Sequence, residues 1–298
     1  MLRLKLPVDC QDYSRVLDSC CDLIKISDPL KIKIQQNKDA LVRISNSYTR
    51  WARANFLFKY QYLILPDDGS PIKMGNNIAT QLLDSANMKQ LYSTYFVGKR
   101  CSDYYDMLIN NAKDPKIQCP YCGGIGEPNE LDHFLPKSKF AYYAIFPYNL
   151  VPVCKDCNQK YKKEFYPIEK NKQLIHPYLD NDCFFNEQWL SAEYMLNGGD
   201  IKFYPTPPDK WSQDKKAKVM FHFRFFELDR RFSIRSTSDL VDLVEEIKYR
   251  KKKNGNPRDF IDDRLNVVIN NSKYCKNYWK VVLYQAIRDK IDKIWNVL

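Results

Sequence analysis

The stretch CPYCGGIGEPNELDHF, residues 119–134, joins a Cys-x-x-Cys pair to an Asp-His dipeptide. A second pair, Cys154 and Cys157, follows in the segment VCKDCN. Two such pairs are typical of a tetrahedral zinc site, because each pair forms a tight turn whose thiolates face one ion. We therefore expect Cys119, Cys122, Cys154 and Cys157 to bind one structural Zn²⁺. The ion would hold the ends of the loop-rich segment between the pairs.

Two other interpretations of the paired cysteines stay open. They could be four unrelated buried cysteines, or a redox motif of the thioredoxin type, although there are two pairs and no βαβ pattern surrounds them. The other cysteines are scattered, and disulfides are uncommon in a reducing compartment. We expect these to be small buried hydrophobic residues: Cys10, Cys20, Cys21, Cys101, Cys183 and Cys275.

Composition indicates a globular chain with a polyanionic partner. The 298 residues are 44% hydrophobic, enough for a sizeable core, and carry a formal net charge of +11. Such an excess of positive charge favours polyanions, nucleic acid first and an anionic membrane second, although a merely basic surface is the alternative. The N-terminus has no apolar leader, and no apolar run is long enough to span a bilayer. We therefore expect a cytoplasmic protein without a membrane partner.

The pattern of apolar residues predicts an α+β fold that is mostly helical. Residues 1–114 show helical periodicity, broken near 66–71, and are expected to dock a partner or DNA. A linker at 113–118 leads into the segment 115–180, which carries only short elements. Residues 181–298 predict a β-hairpin turning at 197–200, then helices over 212–232 and 237–253, then two more.

The segments LDHFLPKS, residues 131–138, and PYNLVPVCKDCNQKYKK, residues 147–163, resemble the HNH, or ββα-metal, endonucleases. Within that family they are most similar to the zinc-stapled branch of the endonuclease VII-like nucleases. There, two Cys-x-x-Cys turns hold a catalytic hairpin and helix, and an Asn follows the last cysteine. The resemblance implies a central zinc-stapled ββα-metal module.

The resemblance also implies a role for each matching residue. Asp132 would be a ligand of a catalytic Mg²⁺ or Mn²⁺, and His133 the general base. Asn149 would orient the His-bearing hairpin through backbone hydrogen bonds, and Asn158 would be the second metal ligand. Because neighbours on a regular strand point to opposite faces, we expect a turn or bulge at Asp132-His133.

These roles imply a metal-dependent endonuclease that hydrolyses phosphodiester bonds, most plausibly of DNA. Neutral imidazole suits deprotonation of water, and a hard cation suits the charge that develops on the phosphate. A second resemblance, to HNH subunits of Septu-type anti-phage systems, implies an ATPase partner of the ABC/SMC class. The alternatives are a non-catalytic zinc-stapled nucleic-acid-binding module and an adaptor subunit of a defence complex with a vestigial site.

Lysines border this motif and recur near the C-terminus. As a group they support a polyanionic substrate, although each alone is typical of a plain surface: Lys137, Lys139, Lys160, Lys162 and Lys163. The basic run 248–258 includes Lys251, Lys252 and Lys253, which would contact phosphates unless the run is a solvated helix end. Among the other polar and aromatic residues we expect packing for Tyr142, Tyr143 and Tyr148, a structural hydrogen bond for His176, and a core position for His222.

Overall fold

The computed structural model describes residues 2–63, 83–99, 101–111, 118–272 and 274–298. The interruption predicted at 66–71 lies outside these residues, as does the linker at 113–118 except for Gln118. The described chain is mostly helical and has two small antiparallel sheets, which confirms the α+β class. Within the described ranges, every helix is too short or too polar to traverse a lipid bilayer.

The N-terminal segment is built from helices with side-chain caps. The bounds are Tyr13–Asp22 for α1, Pro29–Arg53 for α2, Ser85–Gln90 for α3 and Tyr104–Asn110 for α4, with a π-helical stretch at Leu91–Gly98. Asp12 and Asp28 accept hydrogen bonds from backbone N–H groups at the starts of α1 and α2, which satisfies donors that have no partner within the helix. After α2, Asn55 adopts a left-handed conformation (φ 62°) and ends the helix.

The central segment is a hairpin followed by a helical turn. Strand β1, Glu130–His133, pairs antiparallel with β2, Leu150–Val153, and Asp156–Lys162 follows as a short π-helix. The register is regular, with Asp132 opposite Val151 and His133 opposite Leu150. The bulge expected at Asp132-His133 is therefore wrong, and the chain bends only after His133, where β1 ends.

The C-terminal segment confirms the predicted hairpin. Strands β3, Leu190–Met195, and β4, Asp200–Pro205, pair antiparallel around the turn at 196–199. The helices are α5 at Cys183–Asn186, α6 at Gln213–Phe225, α7 at Leu228–Lys252, α8 at Pro257–Phe260, α9 at Asn266–Ile269, α10 at Trp279–Asp289 and α11 at Ile291–Val297. A further π-helical turn, Ile261–Leu265, joins α8 to α9.

The predicted break between two helices at 233–236 is wrong. The chain breaks at Glu227, whose φ is 48°, and α7 runs unbroken through the Ser/Thr-rich stretch. Ser233 and Thr237 stay helical because their hydroxyls donate to carbonyl oxygens one turn earlier, at Asp229 and Ser233. Side chains from all three segments pack into one apolar core, and the boundaries near 114 and 180 stay predictions.

Candidate metal centre and polar cleft

The four paired cysteines come together in one buried cluster. Their Sγ atoms all lie within 4.8 Å of one another, and the Cys122 and Cys154 sulfurs are 3.9 Å apart. Tetrahedral zinc with Zn–S bonds of about 2.3 Å places its sulfurs about 3.8 Å apart. None of these cysteines forms a disulfide. The cluster fits a zinc ion in donor type, number and spacing, and the interpretation as four unrelated cysteines is wrong.

Glycines allow the backbone to approach this cluster closely. Gly124 has φ +99°, a conformation that other residues rarely adopt. A Cβ at Gly126 would lie 2.6 Å from the Cβ of Cys154 and 2.7 Å from its sulfur. The first cysteine turn can therefore fold against the second pair only because residue 126 has no side chain.

Asp132 is buried beside a hydroxyl and an ammonium group. Its Oδ2 accepts a hydrogen bond of 2.9 Å from the hydroxyl of Tyr121 and lies 3.6 Å from Nζ of Lys162. Burial raises the pKa of the Asp132 carboxyl, and the Lys162 ammonium opposes that rise. Burial lowers the pKa of Lys162, which Asp132 opposes in turn. The two groups thus stabilise each other's charged form against the cost of burial.

His133 has one ring nitrogen engaged and one available. Nε2 lies 2.9 Å from the carbonyl oxygen of Ala144, and because a carbonyl only accepts, Nε2 must carry the proton. Nδ1 then presents a lone pair, and no hydrogen bond to it is found in the described part of the chain. Burial lowers the pKa of His133 to about 3, so the ring is neutral at pH 7. The ring of Tyr92 meets His133 edge-on, with centroids 4.6 Å apart.

Asn149 fixes the loop that follows β1. Its Oδ1 accepts from the N–H of Leu135 at 2.8 Å, and its Nδ2 donates to the carbonyls of Leu135 and Tyr143. The hydroxyl of Tyr48, from α2, also donates to Oδ1 at 3.1 Å. The side chain is fully buried, so these hydrogen bonds form away from bulk water. Asn149 therefore joins the backbone at Leu135 to that at Tyr143, and its role in orienting the His-bearing hairpin stays a prediction.

Asn158 is held by a carboxylate that the sequence analysis missed. Its Nδ2 donates to Oε2 of Glu130 at 2.9 Å, and Gln159 donates to the other oxygen of Glu130. Because a carboxylate has no hydrogen to donate, the Nδ2 of Asn158 must face it. The Oδ1 of Asn158 is thereby left as the atom for another partner, as a metal ligand requires.

Asp132, His133 and Asn158 line one cleft of about 240 Å³. Other lining residues are Lys89, Leu131, Pro136, Lys137, Ser138, Lys163 and Glu164. Lys137 also lies over the ring of Tyr92, with Nζ 4.5 Å from its centroid. Of the lysines expected to contact phosphates, Lys137 and Lys163 line the cleft, whereas Lys139 and Lys160 are exposed outside its lining. The expectation for Lys162 is wrong, because its side chain is 0% exposed.

The remaining histidines and tyrosines have structural positions. Ile175 N–H donates to Nδ1 of His222, so its Nε2–H donates to the carbonyl of Tyr121 at 2.8 Å. Tyr178 N–H likewise donates to Nδ1 of His176, whose Nε2–H donates to the hydroxyl of Tyr48 at 3.1 Å. His176 therefore makes a structural hydrogen bond and His222 lies in the core, as expected. Burial lowers the pKa of both rings. Packing is also confirmed for the buried side chains of Tyr142 and Tyr143, and Tyr148 is half-buried against Phe146.

Tyr121, Glu130 and Tyr48 contact the expected site residues but were not assigned to the site from the sequence. Lys162 was expected to contact phosphate, not Asp132. Only Glu130 carried a usable signal, since it lies two residues before Asp132 and so on the same face of β1. Tyr48 comes from a different segment, and its contact depends on the tertiary packing of α2.

Comparison with known proteins gives one full-length similarity. The chain is 28% identical to protein Ea31 of Escherichia phage lambda, over 97% of this chain and 98% of that protein. No protein-family model and no solved structure matches the chain.

Proposed function

We propose that the chain is a metal-dependent endonuclease of the HNH type that hydrolyses phosphodiester bonds, with DNA as the first candidate substrate. The observation that carries the proposal is the shared cleft of Asp132, His133 and Asn158. Two of its lining residues suit this chemistry: His133, a neutral imidazole whose Nε2 is bound to Ala144, and Asn158, whose NH₂ group is bound to Glu130. A module that only binds nucleic acid has no need of this combination.

In this proposal His133 activates the attacking water. Nδ1 accepts the proton of the water, while Nε2–H keeps its bond to Ala144 and so holds the ring in place. The low pKa keeps the ring unprotonated before the reaction. Asn149 holds Leu135, two residues after His133, and thereby fixes where the strand ends.

Asp132 and Asn158 are the candidate ligands of a catalytic cation. A carboxylate oxygen and an amide oxygen are hard donors of the kind that Mg²⁺ and Mn²⁺ take, with water and phosphate completing the shell. Such an ion would supply positive charge against the charge that develops on the phosphate and the leaving oxygen. Asn158 directly follows Cys157 in the sequence, so a zinc ion bound by the four cysteines would fix where the helical turn that carries Asn158 begins.

The test is cleavage of supercoiled plasmid by zinc-replete protein with added Mg²⁺ or Mn²⁺. We expect nicked or linear product with either ion, none without, and none from Asp132→Asn. A parallel assay on single-stranded DNA and on RNA identifies the substrate class. If no nucleic acid is cut by folded, zinc-replete protein with either ion, the nuclease proposal is wrong.

One observation favours a second candidate, a non-catalytic nucleic-acid-binding adaptor. Oδ2 of Asp132 already has Tyr121 and Lys162 as partners, an arrangement that is stable without a divalent ion. Retained oligonucleotide binding without cleavage would favour this adaptor. A role in anti-phage defence and an ATPase partner remain predictions from the resemblance alone.

A further inference from the structure

Lys162 is a buried cation that contacts both residues of the Asp-His dipeptide. Its Nζ donates to the carbonyl oxygen of His133 at 3.0 Å and lies 3.6 Å from Oδ2 of Asp132. The side chains of Lys162 and Asp132 are 0% and 4% exposed. Water screens this pair poorly, so its charges act on anything that enters the cleft.

The charges around the cleft favour an anion over a cation. Lys89, Lys137 and Lys163 line it, against the two carboxylates of Asp132 and Glu164. The three lysines outnumber the two carboxylates by one charge. Beyond the lining, Lys162 at Asp132 and Glu130 at Asn158 add one charge of each sign, so the site keeps a net positive charge. A divalent cation entering alone meets a net positive site, whereas a phosphodiester brings negative charge and is attracted.

We propose that Lys162 couples the two binding events, so that the divalent cation binds strongly only after a nucleic-acid phosphate has entered the cleft. The proposal rests on the proposed function, since it concerns the same cation. Lys162 neutralises Asp132 in the absence of substrate and leaves that carboxylate little net charge to attract a metal. A bound phosphate restores the missing negative charge and makes Asp132 and Asn158 an effective pair of ligands.

The coupling has a functional consequence. Such a nuclease would not hold its catalytic cation in the absence of substrate, even when free Mg²⁺ or Mn²⁺ is present. Binding free energies are reciprocal, so the cation must also tighten nucleic-acid binding by the same factor.

The first test uses wild-type protein and a binding measurement. Mn²⁺ affinity is measured by the electron paramagnetic resonance of free Mn²⁺, with and without a short oligodeoxynucleotide carrying hydrolysis-resistant phosphorothioate linkages. The same titration with Asp132→Asn protein, which lacks the candidate metal ligand, measures the Mn²⁺ that the oligonucleotide binds by itself. That amount is subtracted. We expect the oligonucleotide to tighten Mn²⁺ binding about tenfold or more. Equal affinities, with measurable binding in both cases, would overturn the proposal.

The second test assigns the coupling to Lys162. Lys162→Met should tighten Mn²⁺ binding in the absence of oligonucleotide and shrink the coupling towards onefold. Lys162→Arg, which keeps the charge, should retain the coupling. Unchanged coupling in a folded Lys162→Met protein would contradict the assignment. Zinc content and circular dichroism report folding, and the wild-type comparison decides alone if Lys162→Met does not fold.

Failure of this inference and failure of the proposed function give different results. If the plasmid is cut and Mn²⁺ binds equally with and without oligonucleotide, only the coupling is wrong. If Mn²⁺ does not bind even with oligonucleotide and no substrate is cut, the nuclease proposal is wrong as well.

Discussion

Arg231 donates from Nη1 to the sulfur of Cys157 over 3.4 Å, although the two residues belong to different segments of the chain. Arg231 lies on α7 and is only 8% exposed. A zinc ion with four thiolates has a net charge of −2, and a buried guanidinium offsets half of it. Burial lowers the pKa of Arg231, but the nearby sulfurs of Cys157 and Cys122 together raise it above its usual value, which keeps the guanidinium charged. A charged hydrogen bond therefore joins the four-cysteine cluster, at Cys157, to helix α7, at Arg231.

We expect Arg231→Met to hold zinc less tightly. Purified wild-type protein should contain about one zinc per chain. Loss of a charged hydrogen bond to a metal ligand typically weakens metal binding about 10- to 100-fold. Transfer of zinc to a chromogenic chelator should therefore be faster in Arg231→Met. Arg235→Met, one turn further along α7, is the matched control and should match wild type. Equal transfer rates in all three proteins would show that the contact does not stabilise the zinc.

The buried neutral histidines should make stability depend on pH. Burial lowers the pKa of His222 to about 3 and that of His176 well below its usual value. Both folded-state values lie below the unfolded value of about 6.5, so the unfolded chain binds more protons as the pH falls below 6.5. The free energy of unfolding should therefore fall by about 2 kcal/mol per buried histidine between pH 7 and pH 5.

Urea unfolding at pH 7, 6 and 5 measures this effect. His222→Gln, which removes one titrating group, should show a shallower loss than wild type over the same range. A free energy of unfolding that stays constant from pH 7 to pH 5 would mean that these rings protonate in the folded protein.

Much of the candidate site could be predicted because its signals are local. The cysteine pairs are close in sequence. Asp132, His133, Asn149 and Asn158 are named by the order and spacing of residues on which the resemblance rests, and their catalytic roles stay predictions. The hairpin at β3 and β4 also came from a local turn signal and alternating apolar residues.

The rest depends on contacts between distant residues. Lys162 lies in the run KYKK, which is typical of a surface, and only the packing of its helical turn against β1 buries it. Tyr48 and Arg231 reach the site from α2 and α7, and nothing in their local sequence indicates this. The sequence predicted a helix break at 233–236, whereas Ser233 and Thr237 bond back to the helix and the chain breaks at Glu227 instead.

The basic run near the end of α7 should divide into one structural and two binding lysines. Lys251 donates to the carbonyl oxygen of Trp295 at 2.7 Å, whereas Lys252 and Lys253 are exposed. We expect Lys251→Met to lower the free energy of unfolding by about 1 kcal/mol. The double change Lys252→Gln and Lys253→Gln should instead weaken oligonucleotide binding, and should reduce the slope of log K against log salt by up to about 2.

A matched control keeps the net charge equal. Lys170 and Lys172 are ion-paired with Asp214 and Glu169, so changing both to Gln should leave the salt slope close to that of wild type. If the 252/253 variant has the same slope as this control, the run is a solvated helix end and phosphates bind elsewhere.

The most direct test of the nuclease proposal is the single-turnover cleavage rate of His133→Ala against wild type, both zinc-replete and saturated with Mg²⁺ or Mn²⁺. Loss of the general base should slow cleavage about 10²- to 10⁴-fold, while zinc content, folding and oligonucleotide binding stay close to wild type. The variant, purified in the same way, also reveals any contaminating nuclease. A His133→Ala protein that cleaves at the wild-type rate would contradict the account.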